Sequence, residues 1–451
     1  MSRFVPVDRA TPYLFPPSVD DWLPENHLAR FVVEVIDKLD LGALTRAYAG
    51  RGSAAHHPAV LLGLLIYGYA SGVPSSRKIE RATYDSVAFR YIAANTHPDH
   101  DTLATFRRRF LVQIEALFVQ VLLLAREMKL LKLGQVALDG TKIKAQASKH
   151  KALSWGHANR IEAQLREEVQ VLMALAERTD RADVADGMDV PAEIARREER
   201  LAAIAQAKAV IEQRAQERQA REREVFDAKT AQREAQRKAG KKPRGKDPEP
   251  PQAGPRDTDQ VNLTDDESRV MPVSGGGFEQ SYNAQAAVDT ETMLILTTHV
   301  SQAPNDKREI APTLATIDAL PQALGKVQVL LADSGYFSAA NTQACETHGI
   351  EPLLSNHRES HHEALRERFA ADAPPPDTDD AVLRMAHRLK TKAGRARYAL
   401  RKQTIEPVFG IIKHVMNWRR MSMRGLVKAR GEWSLVALVW NIKRLHVLQV
   451  A

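Results

Sequence analysis

Three acidic residues stand in contexts that could bring their carboxylates together. Asp139 lies in Val-Ala-Leu-Asp-Gly-Thr, Asp333 in Val-Leu-Leu-Ala-Asp-Ser-Gly-Tyr, and Glu406 in Arg-Lys-Gln-Thr-Ile-Glu-Pro-Val-Phe-Gly. The first two end short apolar runs, Gln135 to Leu138 and Val327 to Ala332, that read as buried strands followed by a glycine turn. A strand of that kind delivers its terminal carboxylate to the edge of an open α/β sheet where ligands bind. Glu406 lies in a helix-like stretch, so two strands and one helix would supply three carboxylates, the oxygen ligands that hard divalent cations take. Asp-Gly after a strand is also an ordinary turn, and for either aspartate alone that reading stands equally.

Further segments narrow the choice. Ser281-Tyr-Asn-Ala-Gln-Ala-Ala-Val-Asp289, Ala332-Asp-Ser-Gly-Tyr336, and the run Tyr398, Arg401, Glu406, Lys413 together resemble bacterial insertion-sequence transposases with a DDE, ribonuclease H-like catalytic domain. The likeness extends from about Phe4 through Val450, apart from the middle of the chain. It implies a cut-and-paste DNA transposase that hydrolyses a phosphodiester at its element's ends and then uses the freed 3′-hydroxyl to attack target DNA. It also implies that terminal inverted repeats are the DNA bound, that the chain acts as a homodimer, and that the cationic residues of a Tyr-Arg-Glu-Lys signature contact phosphates. Arg401 stands one residue further from Glu406 than that signature has it, and Lys402 stands at the expected distance, so either can fill the arginine role.

Phosphodiester hydrolysis sets an attacking oxygen against anionic oxygens and expels an alkoxide, and two divalent ions about 4 Å apart ease both steps. Mg2+ is the expected cofactor, with Mn2+ as its substitute, because carboxylates and water suit both ions. Asp139 is expected to serve both ions, Asp333 one and Glu406 the other. Glu406 and Lys413 are seven residues apart and share a helix face, with Tyr398 and Arg401 on nearly the same stripe. Surface charge pairing on an ordinary helix is the bland alternative.

The elements that must position these groups belong to a chain of 451 residues, long enough for two or three domains. Net charge is +8 and the pI about 9.4, with basic clusters at Arg107-Arg108-Arg109, Arg237 to Lys246 and Arg419-Arg420, a balance that favours a polyanion partner. The single cysteine, Cys345, excludes an intrachain disulfide and fits a reducing cytoplasm. Neither a signal peptide nor a membrane-spanning stretch is evident.

Residues 1–130 read as a helical DNA-binding domain. Leu28, Phe31, Val32, Val35, Ile36 and Leu39 form one helical stripe, and Pro58 opens a central helix through Tyr69. Asp101 or Thr102 can cap a helix carrying Phe106, Phe110, Ile114 and Leu117, with Arg107, Arg108 and Arg109 beside them as DNA contacts or as a solvated face. Residues 131–155 hold the first catalytic strand. Residues 156–256 read as an inserted antiparallel helical hairpin, coiled-coil-like in its seams, followed by a proline-rich basic stretch, Lys238 to Asp257, expected to be disordered. Residues 257–451 complete the catalytic domain with strands at Ser281 to Val288, Met293 to Val300 and Val327 to Ala332, a helix at Ile310 to Leu320, and helices from Tyr398 to the end. The expected fold class is therefore α/β, a ribonuclease H-like mixed sheet flanked by helices, with an N-terminal helical domain and a helical insertion.

Two residue groups have bland readings beside functional ones. Trp418, next to Arg419 and Arg420, is a base-stacking residue or a core tryptophan. His357, His361 and His362 lie in a polar run without a cysteine partner, which speaks against a zinc site. The competing functional readings are a metal-dependent endonuclease of the same fold without strand transfer, and a non-catalytic DNA-binding coiled-coil protein. Three carboxylates in matched contexts argue against the second.

Overall fold

The computed structural model describes residues 18–48, 55–179, 189–240, 242–273, 275–355 and 372–450. Two compact units divide the chain: residues 1–144 with 282–451, and residues 145–281. By this division the N-terminal helices fall in the same unit as residues 282–451.

In the first unit the chain opens with α1 (Leu28–Asp37), α2 (Gly42–Thr45), α3 (Pro58–Ala70), α4 (Ser76–Asp85), α5 (Val87–Ile92), α6 (His100–Arg109) and α7 (Leu111–Glu127). Pro58 sits at the start of α3, where its missing N–H costs no bond, and α3 is buried nearly all round. The side chain of Asp99, not Asp101 or Thr102, caps α6 by accepting from the Thr102 N–H. The apolar stripe from Phe106 to Leu117 is split between α6 and α7 at Phe110. Strand β1 (Gln135–Lys144) follows. It continues through Asp139 and Gly140, so the expected glycine turn is instead mid-strand.

The second unit is built on β2 (Ala152–Ser154), α8 (Trp155–Thr179), α9 (Val190–Lys238), β3 (Gln260–Asn262) and β4 (Arg269–Pro272). Helices α8 and α9 run antiparallel, since Glu162 pairs with Lys208 and Glu168 with Arg197, both at 2.7 Å. Leu165, Ile204, Ala207 and Ile211 pack with Leu153 and Val261 of the β2–β3 pair to give this unit its own core. The expected turn between the helices lies largely outside the described residues. Residues 242–256 form neither helix nor strand, as their prolines dictate, yet they are held against α9. Arg233 donates to the carbonyls of Arg244 (3.2 Å) and Gly245 (2.9 Å), and Arg218 to that of Gly254 (3.1 Å). In these bonds arginines on α9 satisfy backbone that has no ladder of its own.

The first unit resumes with β5 (Phe278–Asp289), β6 (Ile295–Ser301), α10 (Ile310–Asp318), β7 (Val329–Ala332), α11 (Ala339–Thr347), β8 (Glu351–Leu354), α12 (Ala381–Lys390), α13 (Lys392–His414) and α14 (Leu426–Val450). Its mixed sheet has the order β6-β5-β1-β7-β8, with β6 antiparallel to β5 and β1, β7 and β8 mutually parallel. Strand β5 is buried on both faces, and α14 is anchored to β6 by Asn441, which accepts from the Ile295 N–H and donates to the Ile295 carbonyl, each at 2.8 Å. No helix among the described residues is long and apolar enough to cross a membrane.

Candidate active site

Parallel pairing of β1 with β7 aligns Gln135 with Val329 and Ala137 with Leu331, an offset of 194 residues. Carrying that register two residues on brings Asp139 opposite Asp333, the residue that follows the end of β7, close enough for the two carboxylates to act on each other's charge. Each carboxylate is fixed by the backbone after it: Asp139 accepts from the Gly140 N–H at 2.7 Å and Asp333 from the Gly335 N–H at 2.8 Å. Burial pushes the Asp139 carboxyl up to about 7, with the charges of Asp333 and Asp306 adding to the rise and the Gly140 N–H and Arg401 opposing it.

Helix α13 packs on β1 through an apolar stripe of Ile405, Val408, Phe409 and Ile412. The same packing turns two cations toward the strand. Lys413 donates to the Thr141 hydroxyl, two residues beyond Asp139, and burial lowers its pKa. The Arg401 guanidinium, buried, lies 3.7 Å from the Asp139 carboxylate and 3.8 Å from that of Glu406. Glu406 itself is exposed, and Lys402 faces solvent. Arg401, not Lys402, is therefore the cation that joins the carboxylates. Tyr398 is half-buried on the same helix.

Beneath β1 lies a polar layer. Asp306 accepts from the side-chain amides of Asn283 and Gln285, both at 2.7 Å, and sits 3.6 Å from the Lys142 ammonium. Tyr336, three residues after Asp333, donates to Gln285. Gly140 is the strand's closest approach to this layer: a Cβ there would lie 2.1 Å from the Gln285 amide and 2.7 Å from Asp306. That contact is the reason for glycine at this position. Asp306 carries no strand or helix signal around it, since it lies in a loop after β6, and nothing in the sequence singled it out. Asn283 and Gln285 fall in the Ser281 to Asp289 segment, where the pattern was visible and their bond to Asp306 was not.

The donor chemistry fits a divalent ion. Asp139 and Asp333 are carboxylates on adjacent strands, and the buried one bears a charge penalty that a bound cation would relieve. Among the described residues, however, no group of three His, Cys, Asp or Glu side chains is placed to hold a metal ion. Arg401 occupies the gap between Asp139 and Glu406 instead.

The remaining expected contacts divide by burial. Arg107 is 7% exposed and donates to the Tyr69 hydroxyl at 2.8 Å, so it is a core residue and not a phosphate contact. Trp418 is 2% exposed and stacks on Trp433 with ring centroids 5.6 Å apart, which leaves no face open to a base. Arg107 is thus turned onto Tyr69 of α3, and Trp418 onto Trp433 of α14. Arg108 and Arg109 are exposed, although Arg109 is tied to the Ala47 carbonyl at 2.6 Å. His357, His361 and His362 lie outside the described residues.

Residues 17–109 match the family model described as Transposase domain (DUF772), and residues 254–442 match the one described as Transposase DDE domain. Asp333 and Glu406 fall inside the second span and Asp139 precedes it. No curated protein and no solved structure matches the chain.

Proposed function

We propose the activity from the premise that this chain belongs to the insertion-sequence DDE transposases, the family to which its two matched segments assign it. Members of that family generally use divalent metal ions. The reaction proposed here is hydrolysis of a phosphodiester at the ends of the chain's own element, followed by attack of the freed 3′-hydroxyl on target DNA. The second step repeats the first with a different nucleophile, so one site serves both.

The observation that carries this reading is the register that sets Asp139 beside Asp333 under a helix bearing Glu406 and Arg401. The sheet order and the split of this unit around an insertion support a ribonuclease H-like reading of the fold. Asp139, Asp333 and Glu406 would hold Mg2+ or Mn2+, and the bound ions supply activation of the attacking oxygen and stabilisation of the leaving one. For Glu406 to join, the Arg401 side chain must leave the gap it fills. An incoming phosphate gives that guanidinium a bidentate partner, so DNA binding and assembly of the carboxylate set are one event in this scheme. Lys413, anchored beside Asp139 by Thr141, places a point charge where a scissile phosphate would lie. Terminal repeats are assigned to the N-terminal helices, with Arg108 and Arg109 the exposed arginines of α6, and dimerisation follows from the need to cut two ends together.

The test is a joining assay with the purified full chain, Mg2+ and a DNA duplex carrying one of its element ends. Joining of a pre-cut 3′-hydroxyl end to a plasmid is the expected result. Cleavage without joining would leave a nuclease, and absence of metal-dependent chemistry on any such DNA would overturn the proposal.

A further inference from the structure

The basic run Arg237 to Lys246 is not used by the site above. It belongs to the second unit, where the last turns of α9 and the segment after it enclose an open pocket of about 560 Å3. Lys229, Gln232, Arg233 and Gln236 line one side and recur at three- and four-residue spacing, so they share a helix face. Lys242, Arg244, Lys246 and Pro248 line the other. The bonds from Arg233 to the Arg244 and Gly245 carbonyls hold the two sides together, which fixes the cations of the irregular segment opposite those of the helix.

Charge accounting separates the tethers from the rest. Asp247 pairs with Arg233 at 3.0 Å and with Arg237 at 3.2 Å, and Glu249 pairs with Lys246. Lys229, Lys242 and Arg244 are exposed and have no carboxylate partner among the described residues, and no acidic side chain lines the pocket. Some arginines elsewhere on α8 and α9 are paired one turn apart, Arg166 with Glu162 and Arg196 and Arg197 with Glu193, whereas the pocket gathers three unpaired cations at one place. Gathering like charges around one cleft costs stability, and an anion relieves the cost.

We propose that this pocket is a docking surface for the sugar-phosphate backbone of duplex DNA, an inference that rests on the transposase reading. Three unpaired cations suit successive phosphates, and the amides of Gln232 and Gln236 are neutral donors for phosphate or sugar oxygens. No aromatic side chain lines the pocket, so it lacks the platform on which single-stranded bases stack. The contact is therefore with the backbone and independent of sequence.

The test measures binding of the full chain to a duplex of unrelated sequence, by fluorescence anisotropy in EDTA over a salt series. The triple variant Lys229→Ala, Lys242→Ala, Arg244→Ala should bind at least tenfold more weakly at low salt and show a salt slope shallower by up to ~2.7, about 0.9 for each lost phosphate contact. Exchanging the same positions for the other basic residue (Lys229→Arg, Lys242→Arg, Arg244→Lys) should restore the slope. Arg160→Ala with Arg221→Ala removes two exposed charges of the same unit outside the pocket and should leave it unchanged. An unaltered slope in the triple variant, or an equal change in the control, overturns the proposal while the transposase reading stands. A full chain that binds no duplex at all overturns both.

Discussion

Two carboxylate–arginine groups of the first unit are satisfied to different degrees. Under α14, the Glu432 carboxylate accepts from the Ser422 N–H at 2.9 and 3.1 Å, from the Trp418 indole at 3.3 Å and from the Tyr69 hydroxyl at 3.5 Å, and Arg107 in turn donates to Tyr69. Above β1, Arg401 lies 3.7 and 3.8 Å from Asp139 and Glu406, beyond hydrogen-bond length. Both guanidinium groups leave the Nε unpartnered, so the contrast lies in the carboxylates. Those of Glu432 are saturated by the protein, as a permanent structural charge must be. Those of Asp139 and Glu406 are only loosely neutralised, which leaves them free to exchange a guanidinium for another cation.

Substitutions at the loose group should be the most damaging to activity and the least to the fold. Asp139→Asn, Asp333→Asn and Glu406→Gln each remove a proposed ligand without changing shape and should lower cleavage at least a thousandfold, with unfolding midpoints near that of the parent chain. Cleavage within tenfold of the parent by any of the three would remove that residue from the site. Glu432→Ala should invert the pattern. It leaves buried donors without an acceptor and should cost about 3–5 kcal/mol in urea unfolding, with cleavage per folded molecule preserved. A Glu432→Ala chain as stable as the parent would erase the distinction between the two groups.

Smaller effects probe the Arg401 contact itself. Arg401→Ala removes the resident cation, so Mn2+ binding to the DNA-free chain, followed by titration calorimetry, should tighten several-fold; weaker binding would mean that the guanidinium organises the carboxylates instead of competing for them. Lys413→Ala removes one proposed phosphate contact and should flatten the salt dependence of DNA binding by about one unit of slope. An unchanged slope would confine Lys413 to its bond with Thr141.

Local pattern accounts for what was readable in the chain. Apolar runs at Gln135 to Leu138 and Val327 to Ala332 specified the two strands, and the seven-residue spacing of Glu406 and Lys413 placed both on one face of a helix. These signals were legible because they repeat within one element. The continuation of β1 through Gly140 was not, because it depends on Gln285 and Asp306 lying against that glycine, residues far away in the chain. Arg107, Arg108 and Arg109 look alike in sequence, and only the packing of α6, which turns Arg107 onto Tyr69 of α3, decides that the first is buried. The composition of Lys238 to Asp257 likewise gave no sign of the backbone partners that Arg218 and Arg233 of α9 supply. The sequence by itself determined the kind of element on or beside which Asp139, Asp333 and Glu406 lie. Tertiary structure alone decided which of them meet, because a carboxylate's partners, burial and charge are set by side chains brought together from distant segments.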